Sequence, residues 1–258
     1  MDIKAVFLDI DGTFFDHETN TVLPSSIEAC RLLRKNGYKI VLCSGRPKEM
    51  AQDLHVFDLF DWDGYIGCTG GVVMDEAYEV IHEDNFTKEQ LTQIFTIGKQ
   101  HDVTLYSFGK HEFVTQELNV LSKRLMEEFH LPMPEIRDWN GESLHAVSVL
   151  SENEEEFALF EHIEGLKFIS SSYYSKDFIR SDVNKANGIK HMMAYWGFHD
   201  RAYVAFGDSE NDIEMLEHAS IGIAMENGNA KLKEVADRVC GMSSEPTIFE
   251  TLKELKLI

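Results

Sequence analysis

The apolar run Ile3-Lys4-Ala5-Val6-Phe7-Leu8 stops at Asp9-Ile10-Asp11-Gly12-Thr13, and this junction constrains the fold more than any other part of the chain. A short apolar run closed by turn residues reads as a buried strand. Pro24-Ser25-Ser26 followed by Ile27, Ala29, Leu32 and Leu33 reads as an amphipathic helix ending at Gly37, and Lys39 to Cys43 as a second strand. A helix long enough to cross between two strands implies parallel pairing in an α/β sheet. Ligands of open α/β sheets bind at the C-terminal strand edge, which is where Asp9 and Asp11 fall. Two apart in an extended segment, the two carboxylates share a face.

The same alternation returns near the end of the chain. Helices are expected at Ala186 to Trp196, Asp212 to His218, Asn229 to Ala236 and Thr247 to Leu255, with strands at Ala202 to Phe206 and Ile221 to Ala224. The middle reads differently. A capping box at Thr87 to Gln90 opens a helix reaching about Gln100. Strands follow at Thr104 to Phe108 and His111 to Thr115, joined at Gly109-Lys110 as a hairpin. Helical stretches at Leu118 to Phe129 and Glu154 to His162 alternate with strands at His145 to Leu150 and Lys167 to Ile169. Two short strands near Ser172 to Ser175 and Phe178 to Ser181 lead back to the α/β pattern. The expected organisation is a core of residues 1–83 and 183–258 carrying an inserted α+β domain over 84–182. At 258 residues the chain is long enough for both.

Composition narrows the partners. Against 45 Asp+Glu stand 24 Lys+Arg, a formal charge of −21 that disfavours nucleic acid and anionic membrane surfaces. No stretch approaches the ~20 apolar residues of a membrane span, and no signal peptide is expected. Cys30, Cys43, Cys68 and Cys240 show no paired spacing, which suits reduced thiols in a cytoplasm. The histidines lack an H-x-x-x-H pair, so a histidine-built metal centre is not expected.

Two further groups share the chemistry of Asp9 and Asp11. Gly207-Asp208-Ser209-Glu210-Asn211-Asp212 follows a strand and opens a helix, so Asp9, Asp11, Asp208, Asn211 and Asp212 form an all-oxygen set of the kind a hard ion prefers. Ser44-Gly45-Arg46-Pro47 also follows a strand, with Pro47 suited to the first helical position; free N–H groups there would bind an anion. Turn and cap roles are the plain alternatives for all three groups. Lys185, where the chain re-enters the core, would by default be a surface lysine.

Taken together and in order, these residues resemble the signature of the haloacid dehalogenase superfamily. Asp9-x-Asp11-Gly12-Thr13 is similar to its first motif, Ser44 to its second, Lys185 to its third and Gly207-Asp208-x-x-Asn211-Asp212 to its fourth. The insert, Gly37-Tyr38-Lys39 to Arg46 and Cys68-Thr69-Gly70-Gly71 resemble the Cof-type, sugar-phosphatase-like subfamily with a large α/β cap. Thr69 stands where that subfamily usually has Asn, and Gly71 where it has Ala.

The resemblance implies a Rossmann-like parallel core with an α+β cap, and a Mg²⁺-dependent phosphohydrolase for small phosphate monoesters such as sugar phosphates. It implies Asp9 as nucleophile, Asp11 as acid and base, and Lys185 as the cation holding Asp9 and phosphate. Phosphate would meet Gly12, Thr13, Ser44, Gly45, Arg46, Gly70, Gly71 and Asn211. The metal would meet Asp9, the Asp11 backbone carbonyl and Asp208, with Asn211 and Asp212 in support. A sugar phosphomutase, a serine hydrolase using Ser209, and a non-enzymatic Mg²⁺ or phosphate-binding module stay open. Lys110, Arg124, His145, Tyr173, Tyr174 and Arg180 are the polar candidates for contacts to the leaving group. The expected partner is a small phosphorylated metabolite, with no nucleic acid or membrane, and the protein a cytoplasmic monomer or weak homodimer.

Overall fold

The computed structural model describes residues 2–109, 111–128, 133–172 and 174–258. It separates into two compact units, Met1–His82 with Asn184–Ile258, and Glu83–Val183.

The first unit is built on a sheet that, among the described residues, has eight strands. Their order is Arg238–Val239, Ile221–Ala224, Tyr203–Gly207, Ala5–Leu8, Lys39–Cys43, Tyr65–Gly67, Val72–Met74 and Val80–Glu83. The first six are parallel and Val72–Met74 runs against its neighbour. Strand Ala5–Leu8 is central and wholly buried, as expected of a parallel strand covered on both faces. Alternate residues serve two layers. Val6 and Leu8 join Ile40, Leu42, Val204 and Phe206 in the cluster that takes in Ala29 and Leu33 of helix Pro24–Lys35 and Leu252 of helix Thr247–Glu254. Ala5 and Phe7 join Val41, Cys43, Tyr203 and Ala205 against Ile189 and Met192 of helix Lys185–Tyr195 and Leu216 of helix Ile213–His218. Each large side chain so buried contributes about 1.5–3 kcal/mol relative to exposure. Registering Ala5–Leu8 against both neighbours carries the ends of three strands, and so Asp9, Ser44 and Asp208, to one edge.

Four strands of this sheet, Tyr65–Gly67, Val72–Met74, Val80–Glu83 and Arg238–Val239, have no counterpart in the expectations above. The first two are short and lie among Gly64, Gly67, Gly70 and Gly71, which hide the period-two signal. A hairpin of Phe15–Asp16 with Thr21–Val22 is also new.

The second unit is α+β. Its sheet order is Glu135–Ile136, Phe113–Val114, Thr104–Gly109, Leu144–Leu150, Ser175–Arg180 and Leu166–Ser172, antiparallel except for the first pair. Leu91 and Ile94 of helix Lys88–His101 and Phe157 of helix Glu154–Ala158 pack on Leu105, Val147, Val149 and Phe178. The capping box at Thr87 forms as expected, Gln90 N bonding Thr87 Oγ1 at 3.1 Å. The expected short strand near Ser172 to Ser175 is a correction: Ser172 ends strand Leu166–Ser172 and Ser175 opens strand Ser175–Arg180, the two strands pairing antiparallel, and Tyr173 between them lies outside the described residues. Lys110, of the expected Gly109-Lys110 turn, lies outside the described residues.

Among the described residues, no helix is long and apolar enough to cross a membrane. None of the four cysteines is in a disulfide.

Candidate active site

Strand Ala5–Leu8 passes into a widened helical turn. Phe14 N donates to the Asp9 carbonyl at 3.1 Å and Phe15 N to the Ile10 carbonyl at 2.8 Å, each spanning five residues, a geometry common at functional sites. Gly12 sits in the turn at φ +76°, and a Cβ there would collide with Asp208 Oδ2.

Asp9 is buried beside Lys185, whose Nζ lies 2.6 Å from Asp9 Oδ1 and 2.6 Å from Asp212 Oδ1. Lys185 is the first residue of its helix and has no exposed surface. A cation at a helix N-terminus opposes the dipole, and burying it costs more, so the two carboxylates are what keep it charged. Burial alone would lower the Lys185 pKa; Asp212 and Asp9 outweigh that and raise it. Asp212 Oδ2 accepts the N–H groups of Asp208 and Ser209, both at 3.0 Å, so this carboxylate orients Lys185 and caps the turn together.

Oxygens of Asp9, Asp208 and Asp212 lie within 4.8 Å of one another. Burial raises Asp9 well above the usual carboxylate range, Lys185 opposing and Asp212 adding to the rise. Burial, with Asp212 beside it, pushes Asp208 up to about 7. Asp208 Oδ1 is buried and has no hydrogen-bond partner among the described residues, as is also true of Thr13 Oγ1. A cluster of crowded carboxylates with an orphaned buried oxygen is short of positive charge, and an all-oxygen set of this kind fits a hard divalent cation.

Asp11 faces elsewhere. Arg46 grips it with both arms of its fork, Nε to Oδ2 at 2.9 Å and Nη2 to Oδ1 at 2.8 Å, and His17 Nε2 lies 2.8 Å from Oδ1. Burial would raise the Asp11 pKa, but the bonds from His17 and Arg46 overcome it and hold the carboxyl far below its ordinary range. Arg46, expected on phosphate, is thus engaged with Asp11. His17 is raised in turn, chiefly by its bond to Asp11.

The anion-binding candidates meet around Gly45. Thr69 N donates to the Ser44 carbonyl and Cys68 N to the Arg46 carbonyl, each at 3.1 Å, tying the two loops together. A Cβ on Gly45 would lie 3.4 Å from Asn211 Nδ2 and 3.6 Å from Thr69 Oγ1, so these groups surround one point. Ser44 is fully buried, and its Oγ accepts Arg46 N at 3.1 Å. The helix after it is only Lys48–Gln52, with Pro47 preceding it rather than opening it. Gly70, at φ +99°, packs against the Asn184 carbonyl, and Gly71 N closes the turn on Cys68 O at 3.1 Å.

Ser209 Oγ donates to Asn211 Oδ1 at 2.8 Å and His218 pairs with Asp200, so among the described residues Ser209 has no serine-hydrolase arrangement around it. Of the leaving-group candidates, Lys110 and Tyr173 lie outside the described residues. Arg124 is exposed, while His145 and Tyr174 are half-buried. Arg180 is engaged with Asp182 and the Asn85 carbonyl. Residues missed by sequence reasoning are His17, and Asn227, whose Nδ2 donates to the Gly12 carbonyl at 2.7 Å. The His82 and His191 rings stack at 3.5 Å, a strand and a helix supplying one each.

Comparison with protein-family profiles matches residues 6–252 to the haloacid dehalogenase-like hydrolases. The chain is 23% identical to the 5-amino-6-(5-phospho-D-ribitylamino)uracil phosphatase YitU of Bacillus subtilis, over 96% of each chain. Among solved structures, the phosphatase BT1666 of Bacteroides thetaiotaomicron is similar at a TM-score of 0.87 and 26% identity, covering 99% of this chain and 96% of that one. BT4131, described as a subclass IIB sugar phosphatase of the same superfamily, is similar at 0.86 and 26%, covering 99% and 100%. With the motif residues gathered at one sheet edge, the chain belongs to the haloacid dehalogenase-like hydrolase family and is one of its phosphatases.

Proposed function

We propose that this phosphatase hydrolyses small phosphate monoesters, sugar phosphates or similar metabolites, with Mg²⁺ bound and through an aspartyl-phosphate on Asp9. The observation that carries the proposal is the buried Asp9–Lys185 pair, 2.6 Å apart, beside the unpartnered Asp208 Oδ1. Asp9, Asp208 and the Asp11 backbone carbonyl would hold Mg²⁺, with Asn211 and Asp212 behind them. Bound there, the ion supplies neutralisation of the charge that would otherwise set a carboxylate nucleophile against a phosphate dianion.

Asp9 attacks phosphorus in line, and the ester P–O bond breaks with its electron pair leaving on the alkoxide. Asp11, held as a carboxylate by Arg46 and His17, must take up a proton as substrate binds, and it gives that proton to the leaving oxygen. In the second step Asp11 takes a proton from the water that attacks the aspartyl-phosphate, releasing inorganic phosphate and restoring Asp9. Lys185 favours the ionised form of Asp9 and places it, while Ser44 and the N–H groups around Gly45 bind the non-bridging oxygens. Arg46 and His17 favour Asp11 as a carboxylate, the form that receives the water proton.

The unit Glu83–Val183 is proposed as the cap that contacts the leaving group. The charge of −21 disfavours polyanionic partners, and cysteines outside any disulfide suit a cytoplasmic protein.

The test is phosphate release from a panel of phosphorylated sugars, nucleotides, flavin mononucleotide, pyridoxal phosphate and the ribitylaminouracil phosphate named for YitU. Release should need Mg²⁺ and vanish in Asp9→Asn. Isomerised sugar phosphate without net phosphate release would mark a mutase instead, and full activity in excess chelator would remove the metal.

A further inference from the structure

His17 lies outside the motifs and at the tip of the Phe15–Asp16 and Thr21–Val22 hairpin, yet three interactions fix it over the active-site loop. The Phe15 carbonyl accepts Gly12 N at 2.9 Å, joining the hairpin to the turn that carries Asp11. Asp16 next to it is buried and accepts Thr19 N at 2.8 Å, Thr19 Oγ1 at 2.6 Å and Ser243 Oγ at 2.7 Å. The His17 ring meets the Phe15 ring edge-on, with centroids 5.2 Å apart. The outcome is His17 Nε2 at 2.8 Å from Asp11 Oδ1. An ionised carboxylate only accepts, so Nε2 carries the hydrogen of this bond.

A carboxylate has about four acceptor positions, two on each oxygen. Oδ1 of Asp11 receives His17 Nε2 and Arg46 Nη2, which fills it; Oδ2 receives Arg46 Nε and keeps one position open among the described residues. We infer that His17 is a positioning residue for Asp11: by completing Oδ1 it leaves Oδ2 as the oxygen that exchanges protons with the ester oxygen and with water. Without it, Oδ1 also has an open position, and the carboxylate presents two competing oxygens in place of one. This rests on the proposed acid and base role of Asp11.

The test is a double-mutant cycle with a substrate the panel identifies, in saturating Mg²⁺. His17→Ala should lower kcat roughly tenfold, with KM within about twofold, since a misplaced reacting group loses rate more than binding. His17→Gln, whose amide Nε2 can donate from a similar reach, should restore most of the rate. In an Asp11→Asn background His17→Ala should cost nothing further, because the group it positions is gone. An unchanged kcat in His17→Ala, or the same tenfold loss in the Asp11→Asn background, would overturn the inference. Failure of the underlying covalent reading shows separately, as turnover that survives Asp9→Asn.

Discussion

Lys185 Nζ and Asp9 Oδ1 are 2.6 Å apart although 176 residues separate them, and the whole insert falls between. The pair is buried on both sides, and Asp212 completes it from a third segment. Removing the cation leaves two buried carboxylates facing each other without compensation. Lys185→Met should therefore destabilise the core by about 3–5 kcal/mol as well as stop turnover. Denaturant unfolding measures it. A variant as stable as the parent would show that Asp9 and Asp212 take up protons at no cost and that Lys185 is catalytic only.

Metal binding should compete with protons. Asp208 is pushed up to about 7 by burial and by Asp212, and Asp9 is raised as well. A carboxylate raised on folding binds more protons in the folded than in the unfolded chain, so the metal-free protein should lose stability as pH rises from about 4 through about 7. Mg²⁺ needs the ionised carboxylates, so its affinity should rise over the same interval and binding should release protons. Calorimetry near pH 6, in buffers of different ionisation heat, reads the release directly. Affinity flat between about pH 5.5 and 8 would place the ion on other groups.

Much of this arrangement was legible in short stretches of sequence, and the parts that were not share a cause. Asp9 and Asp11 ending a strand, and the Gly207 to Asp212 turn, are each written within six residues, where residue type and periodicity suffice. The grip of Arg46 on Asp11, the bond from His17 and the support of Gly12 by Asn227 each join residues whose approach depends on the fold around them. Position relative to motifs said nothing about which way the Arg46 fork would turn. The missed strands Tyr65–Gly67 and Val72–Met74 fail for a different reason, since three residues among glycines carry too few side chains to show alternation.

Thr69 carries strain that its sequence position alone does not reveal. It sits at φ 55°, ψ 34°, the left-handed region, where a β-branched side chain is disfavoured by about 1–2 kcal/mol and Asn is tolerated. Asn, which the resemblance implies at this position, would relieve that strain. Thr69→Asn should raise the unfolding free energy by about 1 kcal/mol, and because Thr69 Oγ1 lies near Gly45 it should also shift the ranking of substrates. Thermal unfolding and kcat/KM across the panel read the two effects. A drop in stability would show that the Thr69 hydroxyl holds the loop more firmly than the strain opposes it.

Each unit holds its own apolar clusters. Those around Leu8 and Phe7 draw only on the first unit, and that around Phe178 only on the second. Replacing residues 84–182 by a short linker should therefore leave the α/β core folded and partly active on p-nitrophenyl phosphate, while erasing preference among natural esters. Unfolding and the substrate panel measure both. A shortened chain that keeps the parent's ranking would put specificity in core loops such as Cys68 to Gly71.

The most direct measurement is chemical trapping of the intermediate. Acid quench during turnover followed by borohydride reduction converts an acyl phosphate to the alcohol, so a phosphorylated Asp9 becomes homoserine. Mass spectrometry of the peptide spanning Asp9 and Asp11 should find homoserine at position 9, only when substrate and Mg²⁺ are both present. Product formed with Asp9 unmodified, or homoserine found at position 11, would contradict nucleophilic attack by Asp9.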